Sequence, residues 1–175
     1  MNKNILYSVC CLLFSIVIGG AVYEHMAVVP QWAAAPPLSL SMFQGEYGLK
    51  AEVFWKAIHP VNMLVFVITL VTHWRTARRK NLAIVLTSYF AILVITAIYF
   101  VPELISITTT PYSTNVIPEL VKRASLWEVL SLVRLAVLCF LAIVLFTGLT
   151  KSTERMTTVK QKVQRRKRTP EAHHS

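Results

Sequence analysis

Residues 126–149 read LWEVLSLVRLAVLCFLAIVLFTGL, an apolar run that contains one permanently charged side chain, Arg134. About 20 residues of α-helix cross a hydrocarbon core of ~30 Å, so this run predicts a transmembrane helix. The guanidinium keeps its proton, and its insertion costs roughly 3 kcal/mol near a helix centre. We therefore expect Arg134 to face neighbouring helices and to mark a polar site.

Three further apolar runs accompany the first, and they begin near Ile5, Val53 and Leu82. The 175 residues are 55% hydrophobic and only 15% charged, with a mean hydropathy of +0.55, which is typical of small membrane proteins. We predict an all-α integral membrane protein. Its fold is an antiparallel four-helix bundle with spans at about residues 5–28, 53–74, 82–103 and 126–149. The first run is too long for a signal peptide and lacks a clean cleavage site, which favours a retained span.

The basic residues are concentrated on one predicted side of the membrane. Thirteen of the 18 Lys and Arg residues belong to Lys3, the link at 75–80 and the tail after Thr150. The positive-inside rule then places both termini in the cytoplasm, and we expect a bacterial inner membrane. The tail, residues 151–175, is predicted to be disordered and to bind anionic lipid headgroups. It lacks the aromatic residues that would favour nucleic acid.

The segments between the spans and the absence of catalytic motifs add further predictions about structure and enzyme class. Pro30 is expected to break the first span, Leu38–Phe43 to lie at the interface, and residues 118–123 to form a separate short helix. The four tryptophans fall near predicted span ends, which is typical of interfacial anchors. The chain contains no aspartate and no hydrolase or kinase motif, so those enzyme classes find no support.

Polar residues from different spans are predicted to share one layer at the end opposite the basic link. His59 lies about 9 Å and Arg134 about 12 Å from their span starts, at 1.5 Å per residue. Helical spacing then places a stripe of polar residues on one inward face of each of three spans. The stripes are Glu52, Lys56, His59 and Asn62 in the second span, Tyr89, Thr96, Tyr99 and Glu103 in the third, and Trp127, Ser131 and Arg134 in the fourth. The candidate catalytic residues are His59, Arg134 and Glu103, and the candidate substrate-binding residues are His25, Glu24, Asn62, Tyr99 and Trp127.

Two other interpretations of this layer stay open. The polar residues could serve structure alone, because hydrogen bonds between membrane helices contribute about 0.6 kcal/mol each. A non-haem metal is also conceivable, and no organic cofactor is predicted. Two histidines and two carboxylates are the ligand types that iron or copper accepts, although they show no recognised ligand spacing. These four are His25, His59, Glu24 and Glu103.

Several short motifs resemble the anthrone oxygenase-like family of small four-span membrane proteins. They are Gly19-Gly20 leading to Tyr23-Glu24 and Pro30, the segment Phe100–Glu103, and the segment Trp127–Arg134 with its Trp-x6-Arg spacing. The resemblance covers roughly residues 5–149. Many members carry Pro-x-Asn after the third span, where this chain has Pro102-Glu103-Leu104, and the glutamate is expected to pair with Arg134.

The resemblance implies an enzyme that oxidises a lipophilic aromatic or polyketide-type substrate without a bound organic cofactor. A histidine base, His59 or His25, would form an enolate-like anion, and Arg134 would stabilise it. The alternatives are a non-enzymatic membrane subunit or a module that binds lipid or a small molecule, and a metal-dependent redox protein. The expected partners are the bilayer and a lipophilic small molecule.

Overall fold

The structure, a computed structural model, describes residues 2–152 and is helical throughout its regular elements. The helical elements confirm the predicted all-α class, and four helical stretches are long and apolar enough to cross a membrane. These spans are Lys3–Ala33, Glu52–Thr72, Arg79–Thr108 and Pro118–Thr150. All but the first two residues of the predicted basic tail lie outside the described range.

Within the spans, the α-helices are α1 (Lys3–Tyr23), α2 (Val29–Ala33), α3 (Glu52–Thr72), α4 (Arg79–Ile95), α5 (Val101–Thr108) and α6 (Pro118–Phe146). Two π-helical turns, Glu24–Val28 and Thr96–Phe100, join α1 to α2 and α4 to α5. Short 3₁₀ helices cover Leu38–Phe43 and Thr147–Thr150.

The span boundaries differ from the predicted ones near Pro30 and near Pro118, because the helices continue through the positions at which the sequence predicts a break. The first span continues through Pro30, which occupies the first turn of α2 directly after a π-helical turn. Proline is tolerated there because its missing N–H falls at a helix start. The expected separate helix at 118–123 is instead the beginning of α6, since no proline or glycine interrupts the chain between Pro118 and Phe146.

Two apolar clusters form the interior of the described residues. The larger one surrounds Phe14, whose ring meets Phe66 and Tyr89 edge-on at centroid distances of 5.5 and 5.3 Å. The smaller one packs Trp32 and Trp127 together at the end that carries the two long connections, residues 34–51 and 109–117. We call this end the long-loop end. Trp32 and Trp127 are buried, so the prediction of interfacial anchoring is wrong for them.

At the opposite end, which we call the basic end, Arg78 connects three segments. Its guanidinium donates hydrogen bonds to Asn4 Oδ1, Leu149 O and Lys151 O at 2.9 to 3.1 Å. Two of these acceptors are carbonyls beyond the last turn of α6, where backbone oxygens lack helical partners. Arg78 is therefore a buried structural residue, in contrast to the exposed Arg75 and Lys80.

Candidate functional site

Side chains from the first three spans form a continuous polar chain near the long-loop end. Trp55 Nε1 donates a 2.7 Å hydrogen bond to Glu24 Oε1, and the Trp55 ring stacks on His59 with centroids 5.2 Å apart. His59 Nδ1 and the Tyr89 hydroxyl share a hydrogen bond of 2.6 Å. Trp55 and His59 lie four residues apart on α3, so one helix face presents both.

The fourth span contributes Arg134, whose guanidinium has only neutral direct partners. It donates to Thr96 Oγ1 at 3.1 Å and to Ser131 Oγ at 2.8 Å. Its central carbon lies 4.2 Å from the centre of the Phe100 ring, an arrangement that favours a cation electrostatically. Arg134 also interacts electrostatically with Glu24 and His59 without direct contact. Each of the four spans thus supplies an ionisable or hydroxyl group to this layer.

The expected ion pair between Glu103 and Arg134 does not form. Glu103 instead accepts two hydrogen bonds from Arg123, Nε to Oε1 at 2.7 Å and Nη2 to Oε2 at 2.9 Å. Arg123 Nη2 also donates to Ser106 Oγ at 2.9 Å. Arg123 is nearer the beginning of α6 and reaches α5 directly. Across residues 2–152, this is the ion pair that the structure contains.

Both π-helical turns flank the layer and shape its surroundings. Trp127 Nε1 donates to Phe100 O at 2.9 Å, which ties α6 to the turn Thr96–Phe100. The His25 ring lies nearly parallel to Trp127, with centroids 6.5 Å apart, and its Nδ1 donates to Ala21 O at 2.8 Å. Single π-helical turns occur frequently at functional sites, because they re-aim side chains within a helix.

Three buried polar atoms of the candidate residues have no hydrogen-bond partner in the described part of the chain. They are His25 Nε2 and both amide atoms of Asn62, although Asn62 lies beside Tyr89. Buried polar groups are normally paired, and an orphan atom needs an explanation such as a water molecule or ligand. Tyr99 lies apart from these atoms, half-buried against Phe100 and within electrostatic range of Arg123.

A largely apolar groove of about 420 Å³ reaches the polar layer from the side of the bundle. It opens between the first and second spans, and Glu24 and Trp55 lie at its polar end. Gly20 lets the Phe54 ring pack closely against the first span, because a Cβ at this position would lie 2.7 Å from that ring. The groove is lined by Ile16, Gly19, Gly20, Tyr23, Glu24, Val28, Leu49, Ala51, Phe54 and Trp55. Neither His59 nor Arg134 lines it directly.

The four candidate metal ligands do not assemble into one centre. Between residues 2 and 152, no group of three His, Cys, Asp or Glu side chains is placed to hold a metal ion. Glu103 is bound by Arg123, and Glu24 by Trp55. His59, Arg134 and Glu24 therefore belong to one layer, and no third histidine, cysteine or carboxylate is grouped with them within residues 2–152.

Arg123 was not singled out from sequence as a residue of the site. Arg123 is four residues before Trp127, so it shares the face of α6 that carries Trp127, and this spacing was a usable signal. Thr96 and Tyr89 belong to the polar stripe of the third span, but their roles as partners of Arg134 and His59 depend on the packing of helices.

Comparison with known proteins adds no further identification, since no protein-family model, no curated protein and no solved structure matches this chain.

Proposed function

We propose that this chain is a membrane-embedded enzyme that binds a flat, lipophilic, weakly acidic molecule and removes a proton from it, as the first step of an oxygenase-type reaction. The observation that carries the proposal is Arg134. A largely buried guanidinium with two hydroxyl partners and no bound carboxylate is suited to an anion that forms during a reaction.

His59 is the base in this proposal. When its Nδ1 proton is donated to Tyr89, the Nε2 lone pair is left to accept a proton from carbon or oxygen. Tyr89 holds the ring in this tautomer. Arg134 then stabilises the resulting enolate or phenolate, and Glu24 receives a hydroxyl of the same molecule at the end of the groove. The resemblance to anthrone oxygenase-like proteins supports this substrate class.

The membrane arrangement belongs to the same proposal. We infer an antiparallel bundle in the inner membrane of a bacterium, with both termini in the cytoplasm. Contacts support the helix directions, because Tyr7 near the chain start donates to Leu145 O near the end of α6 and meets His73 after α3. The cations Lys3, Arg75 and Arg78 share this end, as the positive-inside rule requires.

A second function, binding without turnover, is favoured by one observation. The groove is lined by Glu24 and Trp55 but not by His59 or Arg134, so a lipophilic molecule in it need not touch the base. Such a protein would be a binding module or subunit with the same fold. The two functions differ in what happens when His59 is removed.

The test uses the full chain in lipid nanodiscs with anthrone as the probe. Binding is followed by quenching of tryptophan fluorescence, and turnover by oxygen consumption. We expect His59→Ala and Arg134→Leu each to bind anthrone without turnover, because the anion that Arg134 stabilises forms only after the neutral substrate is bound. Lys56→Ala, an exposed cation on the same helix, is the matched control. Unchanged binding and turnover in both site variants would refute the proposal, and binding by wild type without oxygen uptake would favour the module.

A further inference from the structure

A second cavity lies at the basic end, opposite the long-loop end near which the polar layer lies. It has a volume of about 190 Å³ and lies between the start of the first span and the turn that follows the second. Its lining consists of Lys3, Val71, Thr72, Trp74, Arg75 and Thr76. We propose that this cavity binds the phosphate of an anionic phospholipid.

The charges of the cavity are available to a ligand. Lys3 and Arg75 come from two different segments, and both side chains are exposed. Within residues 2–152, neither has a hydrogen bond or an ion pair, whereas the neighbouring Arg78 uses three donors on protein oxygens. Two cations that face one cavity attract an anion, and Arg75 can bind a phosphate through two parallel N–H groups.

The surroundings of the cavity favour a lipid over a soluble phosphate. Val71 lines the cavity and is 68% exposed, and Ile68 and Leu64 continue the same face of α3 away from it at 44% and 62%. These side chains form an apolar strip that an acyl chain would cover. Trp74, 55% exposed, lies where the strip meets the cations, the position that tryptophan prefers at a membrane boundary. Basic pockets of this kind bind lipid headgroups.

The proposal is separate from the predicted role of the basic tail, because every group it uses lies between residues 3 and 76. It is also separate from the proposed enzyme, since none of its residues contributes to the polar layer. The cavity can therefore be tested on the full chain, because the tail is present in every variant and contributes equally to each comparison.

The experiment is native mass spectrometry of the full chain, released from detergent after titration with phosphatidylglycerol or phosphatidylcholine. We expect the first phosphatidylglycerol molecule to bind more tightly than the first phosphatidylcholine molecule. Lys3→Ala and Arg75→Ala should each weaken that binding about fivefold, the equivalent of about 1 kcal/mol for one cation near a lipid surface. Lys80→Ala removes an exposed cation from the same link, outside the cavity, and should change it less than about twofold.

Three results would overturn the proposal. The first is equal binding of the two lipids by the wild type. The second is an effect of Lys80→Ala as large as that of Arg75→Ala, which would show a diffuse charge effect. The third is displacement of phosphatidylglycerol by millimolar inorganic phosphate, which would identify a soluble anion as the ligand. Thermal unfolding of each variant checks the fold, which we expect to be unchanged because these side chains make no hydrogen bond or ion pair within residues 2–152.

Discussion

The ion pair between Glu103 and Arg123 should stabilise the long-loop end of the bundle. Glu103→Gln keeps the shape of the side chain but removes its charge and one acceptor oxygen. The bidentate contacts of 2.7 and 2.9 Å are close to ideal, while the side chains remain 23% and 34% exposed. Exposure of this degree screens the attraction, so we expect a coupling free energy of about 1 kcal/mol, the upper part of the range for exposed pairs.

The assay is a pair of double-mutant cycles on the free energy of unfolding in mixed micelles. One cycle combines Glu103→Gln with Arg123→Gln, and the other combines it with Arg134→Leu. We expect a coupling of about 1 kcal/mol in the first and additivity within about 0.5 kcal/mol in the second. High salt should reduce the first coupling, because the pair is partly exposed. Glu119→Gln is the control, since Glu119 interacts with Arg123 without contacting it.

Additivity in the first cycle would show that the pair of Glu103 and Arg123 does not stabilise the bundle. A stronger coupling of Glu103 to Arg134 than to Arg123 would show that the guanidinium of Arg134 already has an anionic partner. The proposed stabilisation of a reacting anion requires that Arg134 has no ion-pair partner of its own. The stability experiment therefore tests a premise of the proposed chemistry without requiring any substrate.

Two further predictions concern the basic end. Gly148→Ala should lower the free energy of unfolding by about 1–3 kcal/mol, because the added Cβ would collide with the Tyr7 hydroxyl. Gly19→Ala is the control and should not destabilise the protein, since no atom lies within 4 Å of a Cβ at that position. Equal losses of stability for the two variants in thermal unfolding would contradict the prediction. Burial lowers the pKa of His73, so the unfolded chain binds the proton more readily than the folded one. Stability should therefore decrease as the pH falls below about 6.5, and His73→Gln should remove that part of the slope in pH-dependent unfolding.

Hydropathy and helical spacing predicted a large part of what the structure shows. Four apolar runs were enough to identify the spans, and intervals of three, four and seven residues placed Asn62, Tyr89, Thr96 and Ser131 on inward faces. On α3 the spacing predicted the inward position of Asn62 correctly, but it was wrong for Glu52, which begins the helix and is exposed. Periodicity identifies a face but not the height at which a helix enters the lipid, so residues near a span end are ambiguous.

Pairing between helices could not be read from sequence. The glutamate at position 103 had two arginines within reach on one helix face, and the choice between them depends on the axial offset of α5 against α6. The π-helical turn Thr96–Phe100 changes that offset, because it adds a residue to one turn of the helix before α5 begins. Neither proline nor hydropathy specifies such a turn. The predicted partner of Glu103, Arg134, is therefore wrong, and the actual partner is Arg123.

The change of partner strengthens the functional interpretation of Arg134. A guanidinium neutralised by Glu103 would be a structural group, and its replacement together with Glu103 by apolar residues would be tolerated. With Glu103 held by Arg123, Arg134 retains a net charge beside Glu24 and His59 and is held by two hydroxyls and a ring. Burying such a charge is unfavourable, so we expect an anion bound in this layer to stabilise the protein. An acidic lipophilic ligand should accordingly raise the unfolding temperature of the wild type but not of Arg134→Leu.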